Sequence, residues 1–430
     1  MINQKNIILY KMLTKVTVIL MAFILTLASC RKETNTSKLS SKSCFVLPSN
    51  LGLIGYVVCD GEPGCFAISS ETVDITPDEA VGTQSKFTWI GLNTVNGNFS
   101  QSLLDYYPPL PPLTTRSNGL TQLIHNGNSF ILVSNYTLYD TGFNSTSHVK
   151  VYLTNKNLTS LKRFNLLDST VSIDNVIQMP DGRFVVLSHK GITKSISCYN
   201  SNLQLDWTKI AEYGSSSQDY NTAELMATPN YIYVLQNSKY ITRNYRILQY
   251  NYNGSRTSIY DLAGVTNKYA AGQLIESPNG FYIVGTKYIP EKSDYDISIS
   301  TMSQSNKLVS EHGLNIIDYL PDWNTATRNV ANAYFSPSSS YVIKTKNGYA
   351  YSLAYPDRKG KSSLALVMLN NEMKVESVKV IAKNVGNGFN EFTNNEKLNL
   401  LNDENHLYIM WRQYLNNYFY VLDMDGNLVK

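Results

Sequence analysis

The chain has 430 residues, of which 43% are hydrophobic, 11% are aromatic and only 16% are charged, and its formal net charge is +4. The charged fraction lies well below the roughly 25% that is usual for soluble domains, which excludes a disordered chain or a coiled coil. The 31 tyrosines favour β-strands, because aromatic side chains fit a pleated and partly buried surface.

The first 29 residues have the pattern of a secretory signal peptide. Lys5, Lys11 and Lys15 supply positive charge, and residues 16–28 form an uncharged apolar run. A transmembrane helix needs about 20 apolar residues, so this run is too short to cross a bilayer. It has the length of the apolar core of a signal peptide.

The apolar run ends in Leu27-Ala28-Ser29-Cys30, which resembles the lipobox of bacterial lipoproteins. The resemblance implies cleavage by lipoprotein signal peptidase before Cys30, with Leu27, Ala28 and Ser29 as its recognition residues, and acyl chains on Cys30. Each buried CH₂ of an acyl chain contributes about 0.8 kcal/mol, so several chains anchor a protein stably. An ordinary signal peptide with a chance cysteine at this position is the alternative.

Residues 31–43 are polar and form a candidate tether behind Cys30. As a flexible coil they would span about 20 Å, which holds a folded domain clear of the lipid headgroups. Residues 1–29 contain three lysines and no acid, so their removal lowers the net charge from +4 to +1. A nearly neutral domain lacks the basic surface of a nucleic-acid binder, and no nucleic-acid partner is predicted. We therefore divide the chain into a signal peptide (1–29), a lipidated cysteine with its tether (30–43) and one domain (44–430).

Four cysteines remain in the domain: Cys44, Cys59, Cys65 and Cys198. Cys59 and Cys65 flank a turn rich in Gly and Pro, which predicts a disulfide that closes a hairpin, as is permitted in an exported protein. A zinc site is the weaker interpretation, because no second pair of ligands follows. Cys44 and Cys198 can pair only if the fold brings the start of the domain near its middle; otherwise they are buried thiols.

A repeat runs through residues 128–430. Each unit opens with a polar turn and a short aromatic and apolar strand, and an alternating strand that leads into a turn follows. The first of these strands begins at Phe130, Phe184, Tyr231, Phe281, Tyr349 and Leu407. The alternating strands are residues 149–153, 195–199, 245–250, 296–300, 364–369 and 418–422. Alternation closed by an Asn-Gly or Asp-Gly turn is a strong hairpin signal.

Four strands in each unit predict an all-β fold, a β-propeller of four-stranded antiparallel blades. Seven blades are expected, with a weaker unit upstream whose strands lie at residues 55–58 and 87–92. The segment Cys44–Leu47 is predicted to complete the last blade, because the chain stops at Lys430 where the outer strand of that blade would begin. Six blades with an irregular N-terminal segment, or a two-sheet sandwich, are the alternatives.

Two segments, Met179–Val186 and Asn202–Trp207, resemble blade turns of bacterial quinoprotein-type and other secreted propellers. The regular tryptophan pattern of quinoprotein blades is missing, so no quinone and no other cofactor is predicted. With its lipobox, the whole chain resembles surface or periplasmic lipoproteins of Bacteroidetes-like bacteria. This resemblance implies the cell envelope, with the outer membrane favoured because no Asp follows Cys30.

The chain lacks the common local motifs of catalysis and metal binding. The five histidines lie in different units without an HExxH pattern, and no nucleophile elbow, P-loop or GxGxxG occurs. The segment Asp423-x-Asp425-Gly-Asn427 is similar to the start of a calcium loop, but the twelfth loop position falls beyond Lys430. We therefore interpret it as a hairpin turn, and assign no metal ligand.

Two features leave a carbohydrate ligand open. The carboxylate pairs Asp294/Asp296 and Asp403/Glu404 are interpreted as surface acids, although glycoside hydrolysis needs two such acids. The tyrosine-rich segments at residues 231–252 and 414–420 are interpreted as strand packing, with a glycan platform as the alternative.

The sequence thus predicts an exported, membrane-anchored lipoprotein whose propeller is a non-catalytic binding or assembly module at the cell envelope. The predicted partners are the membrane, through the acyl chains, and an envelope protein or glycan. No catalytic residue is assigned. The alternative is an envelope carbohydrate-active enzyme with its site in the propeller channel.

Overall fold

The computed structural model describes residues 44–47, 58–59, 64–74, 83–93, 99–106, 115–126, 129–139, 145–155, 162–164, 171–190, 193–212, 220–238, 245–261, 270–289, 294–305, 307–320, 322, 342–358, 361–385, 397–413 and 416–429. Within these ranges the regular structure is β-strand, apart from the 3₁₀ helix η1 (Ile316–Tyr319). Within the same ranges no helix has the length and apolar character needed to cross a membrane.

The described strands form seven four-stranded antiparallel sheets. Sheet 1 contains β2 (Val58–Cys59), β3 (Gly64–Asp74), β4 (Thr83–Asn93) and β5 (Phe99–Tyr106). Sheet 2 contains β6 (Thr115–Asn126), β7 (Ser129–Tyr139), β8 (Ser145–Asn155) and β9 (Lys162–Phe164). Sheet 3 contains β10 (Ser172–Gln178), β11 (Phe184–Lys190), β12 (Thr193–Tyr199) and β13 (Leu205–Glu212).

The remaining sheets follow in chain order. Sheet 4 contains β14 (Tyr220–Ala227), β15 (Tyr231–Ser238), β16 (Tyr245–Asn251) and β17 (Arg256–Asp261). Sheet 5 contains β18 (Ala270–Ser277), β19 (Gly280–Ile289), β20 (Asp294–Ser303) and β21 (Leu308–Gly313). Sheet 6 contains β22 (Ile343–Lys344), β23 (Tyr349–Pro356), β24 (Ser362–Leu369) and β25 (Val375–Val385). Sheet 7 contains β26 (Lys397–Asn402), β27 (His406–Gln413), β28 (Asn416–Asp423) and, on the outside, β1 (Cys44–Leu47).

The outer strand of sheet 7 is built from two distant parts of the chain. β1 pairs with one half of β28, in a register that sets Cys44 opposite Tyr420. Along the other half, Leu428 bridges to Leu422, and the Val429 N–H donates to the Val421 carbonyl at 3.0 Å. The prediction that Cys44–Leu47 completes the last blade is confirmed. Since β28 is covered along its length, this sheet does not end in an unpaired edge there.

The strands are apolar on both faces because each sheet packs between two others. On β11, Phe184 and Val186 pack against sheet 2, whereas Val185 and Leu187 pack against sheet 4. Side chains alternate between the two faces of a strand, so a strand covered on both sides becomes a continuous apolar run. This packing explains the low charged fraction of the sequence.

Cores of this kind join each sheet to the next. Buried clusters connect sheets 2 to 3, 3 to 4, 4 to 5, 5 to 6 and 6 to 7, and a further cluster joins sheet 7 to β4 of sheet 1. Trp89 of sheet 1 meets Phe130 of sheet 2 edge-on, with ring centroids 5.2 Å apart. The sheets therefore close into a ring, with the first strand of each on the inside. The β-propeller class is confirmed, and a two-sheet sandwich is wrong.

The turn after the third strand recurs with one geometry. In sheet 3, Asn200 Oδ1 accepts the N–H groups of Asn202 and Gln204, each at 3.0 Å. The side chains at the same place in sheets 4, 6 and 7 are Asn251, Asn370 and Asp423. The fourth turn residue is left-handed in all four: Leu203 (φ 63°), Gly254 (81°), Met373 (60°) and Gly426 (79°). Residues 423–427 thus form the predicted hairpin turn, of the three-residue type with a bulge.

The upstream unit differs from its predicted position. Val58 belongs to the short inner strand β2, and the second strand of sheet 1 is β3 (Gly64–Asp74). Because β3 begins with small residues and has few aromatic ones, its pattern is weaker than that of the other second strands.

Candidate functional site

One position of the inner strands carries an amide or a carboxyl group in five sheets. The strand registers place each of these residues opposite a buried residue of the second strand. We call this set the inner ring, and its members in sheets 2, 3, 4, 5 and 7 are Gln122, Asn175, Glu224, Gln273 and Asn399. In sheets 3, 4 and 5 a bulge directly precedes the residue, and bulges re-aim side chains.

Gln273 shows what an amide does in the inner ring. Its Nε2 donates to the carbonyl of Val342 at 2.8 Å, and its Oε1 accepts the N–H of Val342 at 2.9 Å. Val342 directly precedes β22, so these two bonds link sheet 5 to sheet 6. Asn402 of β26 makes a related contact by donating to the Lys344 carbonyl at 3.0 Å, which links sheet 7 to sheet 6. Amide side chains thus join neighbouring inner strands.

Glu224 is the acidic member of the inner ring. Burial raises the pKa of Glu224 to about 8, against a smaller opposing effect of its hydrogen bond with the Asn175 side chain. Its Oε2 is buried and has no hydrogen-bond partner among the described residues. Near neutral pH the side chain is therefore mostly protonated, and a protonated carboxyl both donates and accepts. In this form Glu224 offers the same two functions as the amides at the equivalent positions.

A second acid lies beside the inner ring on β10. Asp174 Oδ1 bonds to Nδ1 of His189 at 2.7 Å, and both side chains are partly exposed. This hydrogen bond raises the pKa of His189, because the carboxylate favours the charged imidazole. Asp174 and Glu224 therefore stand on adjacent inner strands in different environments: one carboxyl pairs with a histidine, and the other is buried and proton-bearing.

A half-open pocket of about 350 Å³ lies between sheets 5 and 6. It is lined by the end of β21, by η1 and by the turn between β24 and β25. The side chains that define it are His312, Asn315, Asp318, Tyr319 and Lys374. It combines an imidazole, an amide, a carboxyl, a phenol and an amine, and so contains both donors and acceptors.

A buried acid holds the start of η1, the helix that lines this pocket. Asp296 of β20 is 4% exposed, and its carboxylate accepts the backbone N–H groups of Asn315 and Ile316. These two N–H groups lie at the start of η1, where the first donors of a helix have no partner within the helix. Ile316 and Leu320 are buried on either side of Tyr319 and fix the helix in place. The interpretation of Asp296 as a surface acid is wrong, because its side chain is buried and its carboxylate caps the start of η1.

Two further contacts fix the pocket walls. His312 Nε2 donates to the carbonyl of Met373 at 3.1 Å, which links the end of β21 to the turn between β24 and β25. Lys374 Nζ lies 2.7 Å from Glu372 Oε2 in an exposed ion pair. The ion pair offsets the positive charge of the lysine at the pocket rim.

The predicted lipidation site, Cys30 with Leu27, Ala28 and Ser29, lies outside the described residues. Cys59 and Cys65 are directly opposite each other in the antiparallel pair of β2 and β3. This register suits a cross-strand disulfide, since directly opposed residues have Cα atoms about 4.5–5.5 Å apart. The disulfide itself stays a prediction.

The other two domain cysteines are far apart in the ring. Cys44 is half-buried in sheet 7, and Cys198 is buried in sheet 3, so they do not pair with each other. Burial raises the pKa of Cys198 to about 11, and its thiol points at the sulfur of Met179 at 3.9 Å. A thiol of this kind is a packing group rather than a nucleophile.

The remaining candidates do not converge on one centre. Asp403 accepts the N–H groups of Asn405 and His406 and the hydroxyl of Tyr408, which makes it a turn residue. Within the described ranges, no group of three or more His, Cys, Asp or Glu residues is arranged to hold a metal ion. The tyrosine-rich segments are largely core, as shown by Tyr233, Tyr250, Tyr418 and Tyr420, each at most 6% exposed.

Sequence reasoning missed both polar sites. The inner ring has a readable signal: its members precede the first buried residue of the second strand by eight residues, or by nine in sheet 3. The pocket has no comparable signal, because its two walls are about 60 residues apart in the chain.

No protein-family model matches this chain, and no curated protein matches it in sequence. The β-propeller domain of the Trilobed protease from Pyrococcus furiosus is similar in fold, with a TM-score of 0.45, 9% identity, and coverage of 90% of this chain and 97% of that one. A putative 6-phosphogluconolactonase from Bacteroides fragilis is similar with a TM-score of 0.40 and 13% identity, and the match covers 81% of this chain and 85% of that one. Pyrococcus horikoshii acylaminoacyl peptidase is similar with a TM-score of 0.45 and 9% identity, and the match covers 82% of this chain and 48% of that one. At these identities the similarities concern the fold alone.

Proposed function

We propose that this protein is an exported lipoprotein in which acyl chains on Cys30 hold a β-propeller at the cell envelope as a non-catalytic binding or assembly module. The lipobox Leu27-Ala28-Ser29-Cys30 supports the anchor, and residues 31–43 supply the tether. The outer membrane is the favoured location, and an envelope protein or glycan is the partner.

The position of β1 carries the proposal. The tether joins the domain at Cys44, in the outermost strand of sheet 7. A chain that enters at the rim of the ring leaves both of its faces, and the pocket between sheets 5 and 6, open to a partner. With about 20 Å of reach, the tether also lets the propeller turn relative to the bilayer. This geometry suits a binding domain displayed on a membrane.

The polar side chains favour binding over catalysis. The inner ring consists of amides and one carboxyl that is mostly protonated near neutral pH. The pocket offers donors and acceptors beside an exposed tyrosine. These groups form hydrogen bonds readily, and none of them is paired with a nucleophile in the described structure.

Metabolic labelling with an alkynyl palmitate tests the anchor. The full chain, expressed in a Gram-negative host, should carry the label, fractionate with membranes and begin at Cys30. Cys30→Ser should lose the label and the processing, whereas Cys44→Ser, the nearest other cysteine, should keep both. A labelled Cys30→Ser protein, or a mature N-terminus elsewhere, contradicts the lipoprotein assignment.

Co-sedimentation tests the binding role. The detergent-solubilised lipoprotein should be retained by at least one purified envelope component: peptidoglycan, outer-membrane polysaccharide or an outer-membrane protein fraction. The control is protein that has been denatured and has not regained the near-ultraviolet dichroism of the native state. Equal retention of native and unstructured protein by every component would count against a binding module.

A carbohydrate-active enzyme is the second candidate, and Glu224 favours it. Glycoside hydrolysis uses a proton-bearing acid with a raised pKa and a second carboxyl. Glu224 and Asp174, on adjacent inner strands, have these two characters. If this candidate is right, the protein hydrolyses an aryl glycoside or an oligosaccharide, and Glu224→Gln and Asp174→Asn each abolish the activity. Activity that survives both substitutions excludes this site.

A further inference from the structure

We propose that the pocket between sheets 5 and 6 binds one unit of a neutral saccharide, with the ring of Tyr319 as its stacking surface. The inference rests on the proposed binding function, for which it names the ligand class. The residues of the pocket come from β21, η1 and the turn between β24 and β25, and the pocket is separate from the inner ring.

The size of the pocket limits the ligand. Ligand pockets span roughly 300–1,000 Å³, and this one, at about 350 Å³, lies at the lower end. A single sugar ring fits such a volume, whereas a folded protein surface does not enter it. Because the pocket is half-open, the rest of an oligosaccharide chain can leave it towards solvent.

Tyr319 supplies an exposed and rigid aromatic face. It is 50% exposed, whereas Tyr282, Tyr349 and Tyr355, in the same pair of sheets, are at most 6% exposed. Its backbone is fixed because Asp296 caps η1 and because Ile316 and Leu320 are buried. An aromatic ring presents an apolar face with a polar tip, which matches the C–H face and the hydroxyl edge of a sugar.

The charges around the pocket favour a neutral ligand. Lys374 is paired with Glu372 at 2.7 Å, and Asp318 adds a negative charge to the lining. A phosphate or sulfate group would therefore meet no excess of positive charge. A divalent cation would find no cluster of three ligands, since none occurs among the described residues.

The polar groups of the pocket suit hydroxyls. A sugar hydroxyl both donates and accepts, so its best partners are side chains of both kinds close together. His312 offers an imidazole ring whose orientation is fixed by the bond from its Nε2 to the Met373 carbonyl. Asn315 offers an amide with both functions.

Titration calorimetry on the detergent-solubilised, full-length mature lipoprotein tests the proposal. The probes are oligosaccharides of glucose, xylose, mannose, galactose and N-acetylglucosamine, and inorganic phosphate is the charged comparison. At least one neutral oligosaccharide should bind, and Tyr319→Ala should weaken it by about tenfold or more, as expected for loss of an aromatic anchor. Tyr231→Ala is the matched control, because Tyr231 is an exposed tyrosine (37%) on β15, away from the pocket, and should leave the affinity unchanged.

Asn315→Gly separates binding from folding. Asn315 has φ 51° and ψ 40°, a left-handed conformation that glycine adopts freely, so this substitution removes the amide without straining the backbone. It should weaken the oligosaccharide severalfold at an unchanged melting temperature.

Three results overturn the inference: no neutral oligosaccharide binds, Tyr319→Ala and Tyr231→Ala weaken binding equally, or phosphate binds and competes. If palmitate labelling and envelope co-sedimentation succeed in the same preparations, such a result removes the saccharide site alone and leaves the proposed function standing.

Discussion

The amide of Gln273 makes two hydrogen bonds to the backbone of one residue, Val342, in the next sheet of the ring. The pair replaces the contact that a β-bridge would make between two inner strands. The same register position holds Asn175 and Glu224 in the two preceding sheets, whose side chains bond to each other. Polar contacts near the axis thus complement the apolar cores between the sheets.

Replacing Gln273 with leucine should destabilise the protein by about 1–3 kcal/mol. The change keeps the size of the side chain but leaves the N–H and carbonyl of Val342 without these partners, and an unsatisfied buried polar group costs about that much. Urea unfolding followed by tryptophan fluorescence measures the effect. Gln304→Leu, at an exposed glutamine of the same sheet, is the control and should change stability by less than about 0.5 kcal/mol. Equal effects of the two substitutions would show that the contact with Val342 contributes nothing.

Glu224 should make the stability pH-dependent. Its pKa is about 8 in the folded protein and lies near 4.5 when unperturbed. Between these values only the unfolded chain loses the proton, so the free energy of unfolding should fall as pH rises, by at most about 1.4 kcal/mol per pH unit. Below the lower value both states are protonated and this contribution is fully present.

Denaturant unfolding at pH 5, 6, 7 and 8 measures this dependence. Glu224→Gln keeps a donor and an acceptor but cannot ionise, and should flatten the decline over this range. Glu404→Gln, at an exposed acid, should leave the slope of the wild type unchanged. If the Glu224→Gln protein retains the full slope, the group responsible for it lies elsewhere.

Alanine substitutions at two glycines with the same backbone conformation distinguish the cost of backbone strain from the cost of a steric clash. Gly182 and Gly254 have φ of 85° and 81°, but a Cβ at Gly182 meets nothing within 4 Å, whereas one at Gly254 lies 2.6 Å from the Trp207 ring. Gly182→Ala should cost about 1–2 kcal/mol for the left-handed backbone. Gly254→Ala should cost about 1–3 kcal/mol more, because the indole must move and its Nε1 donates to the Tyr252 carbonyl at 3.0 Å. Calorimetric melting of both variants provides the comparison, and a smaller loss for Gly254→Ala would contradict the packing of Trp207.

Deleting β1 should open the ring at sheet 7. Without residues 44–47, β28 loses its outer partner and presents unpaired backbone groups, which favours aggregation. We expect a lower melting temperature and concentration-dependent association in light scattering. Deleting Thr36–Leu39, four residues of the proposed tether, is the length-matched control and should alter neither property. A monomeric protein with unchanged melting after loss of β1 would mean that the outer strand does not hold the ring closed.

If the protein is exported as proposed, Cys59 and Cys65 should form a disulfide. Proteolysis without reductant should release a fragment containing both residues that is two hydrogens lighter than its reduced form, as mass spectrometry can measure. The Cys59→Ser/Cys65→Ser variant should be less stable by about 2 kcal/mol or less, because the loop that the bond closes is short. Recovery of the fully reduced fragment from the exported protein rules the disulfide out.

The strands that the sequence predicted well are those buried on both faces. The runs that begin at Phe184 and Phe281 fall in second strands, and the alternating runs that follow fall in third strands. The sequence did not predict the short inner strands β2 and β22. They have two residues each, which is too few to show an alternation of apolar and polar side chains. The eight-residue spacing marks the inner-ring residues in the sequence, but only the strand registers show that they occupy one equivalent position in their sheets.

The sequence by itself determined the all-β class and the hairpin turns, because alternation and Asn-Gly turns are local properties of the chain. It also carries the four adjacent residues Leu27-Ala28-Ser29-Cys30 that resemble a lipobox. Only the tertiary structure decided which polar groups meet. Asn175 reaches Glu224, Gln273 reaches Val342, and Tyr319 comes to lie near Lys374 because the closed ring sets separate repeats side by side. Burial, which raises the pKa of Glu224 to about 8, likewise arises from neighbouring strands and cannot be read from one segment.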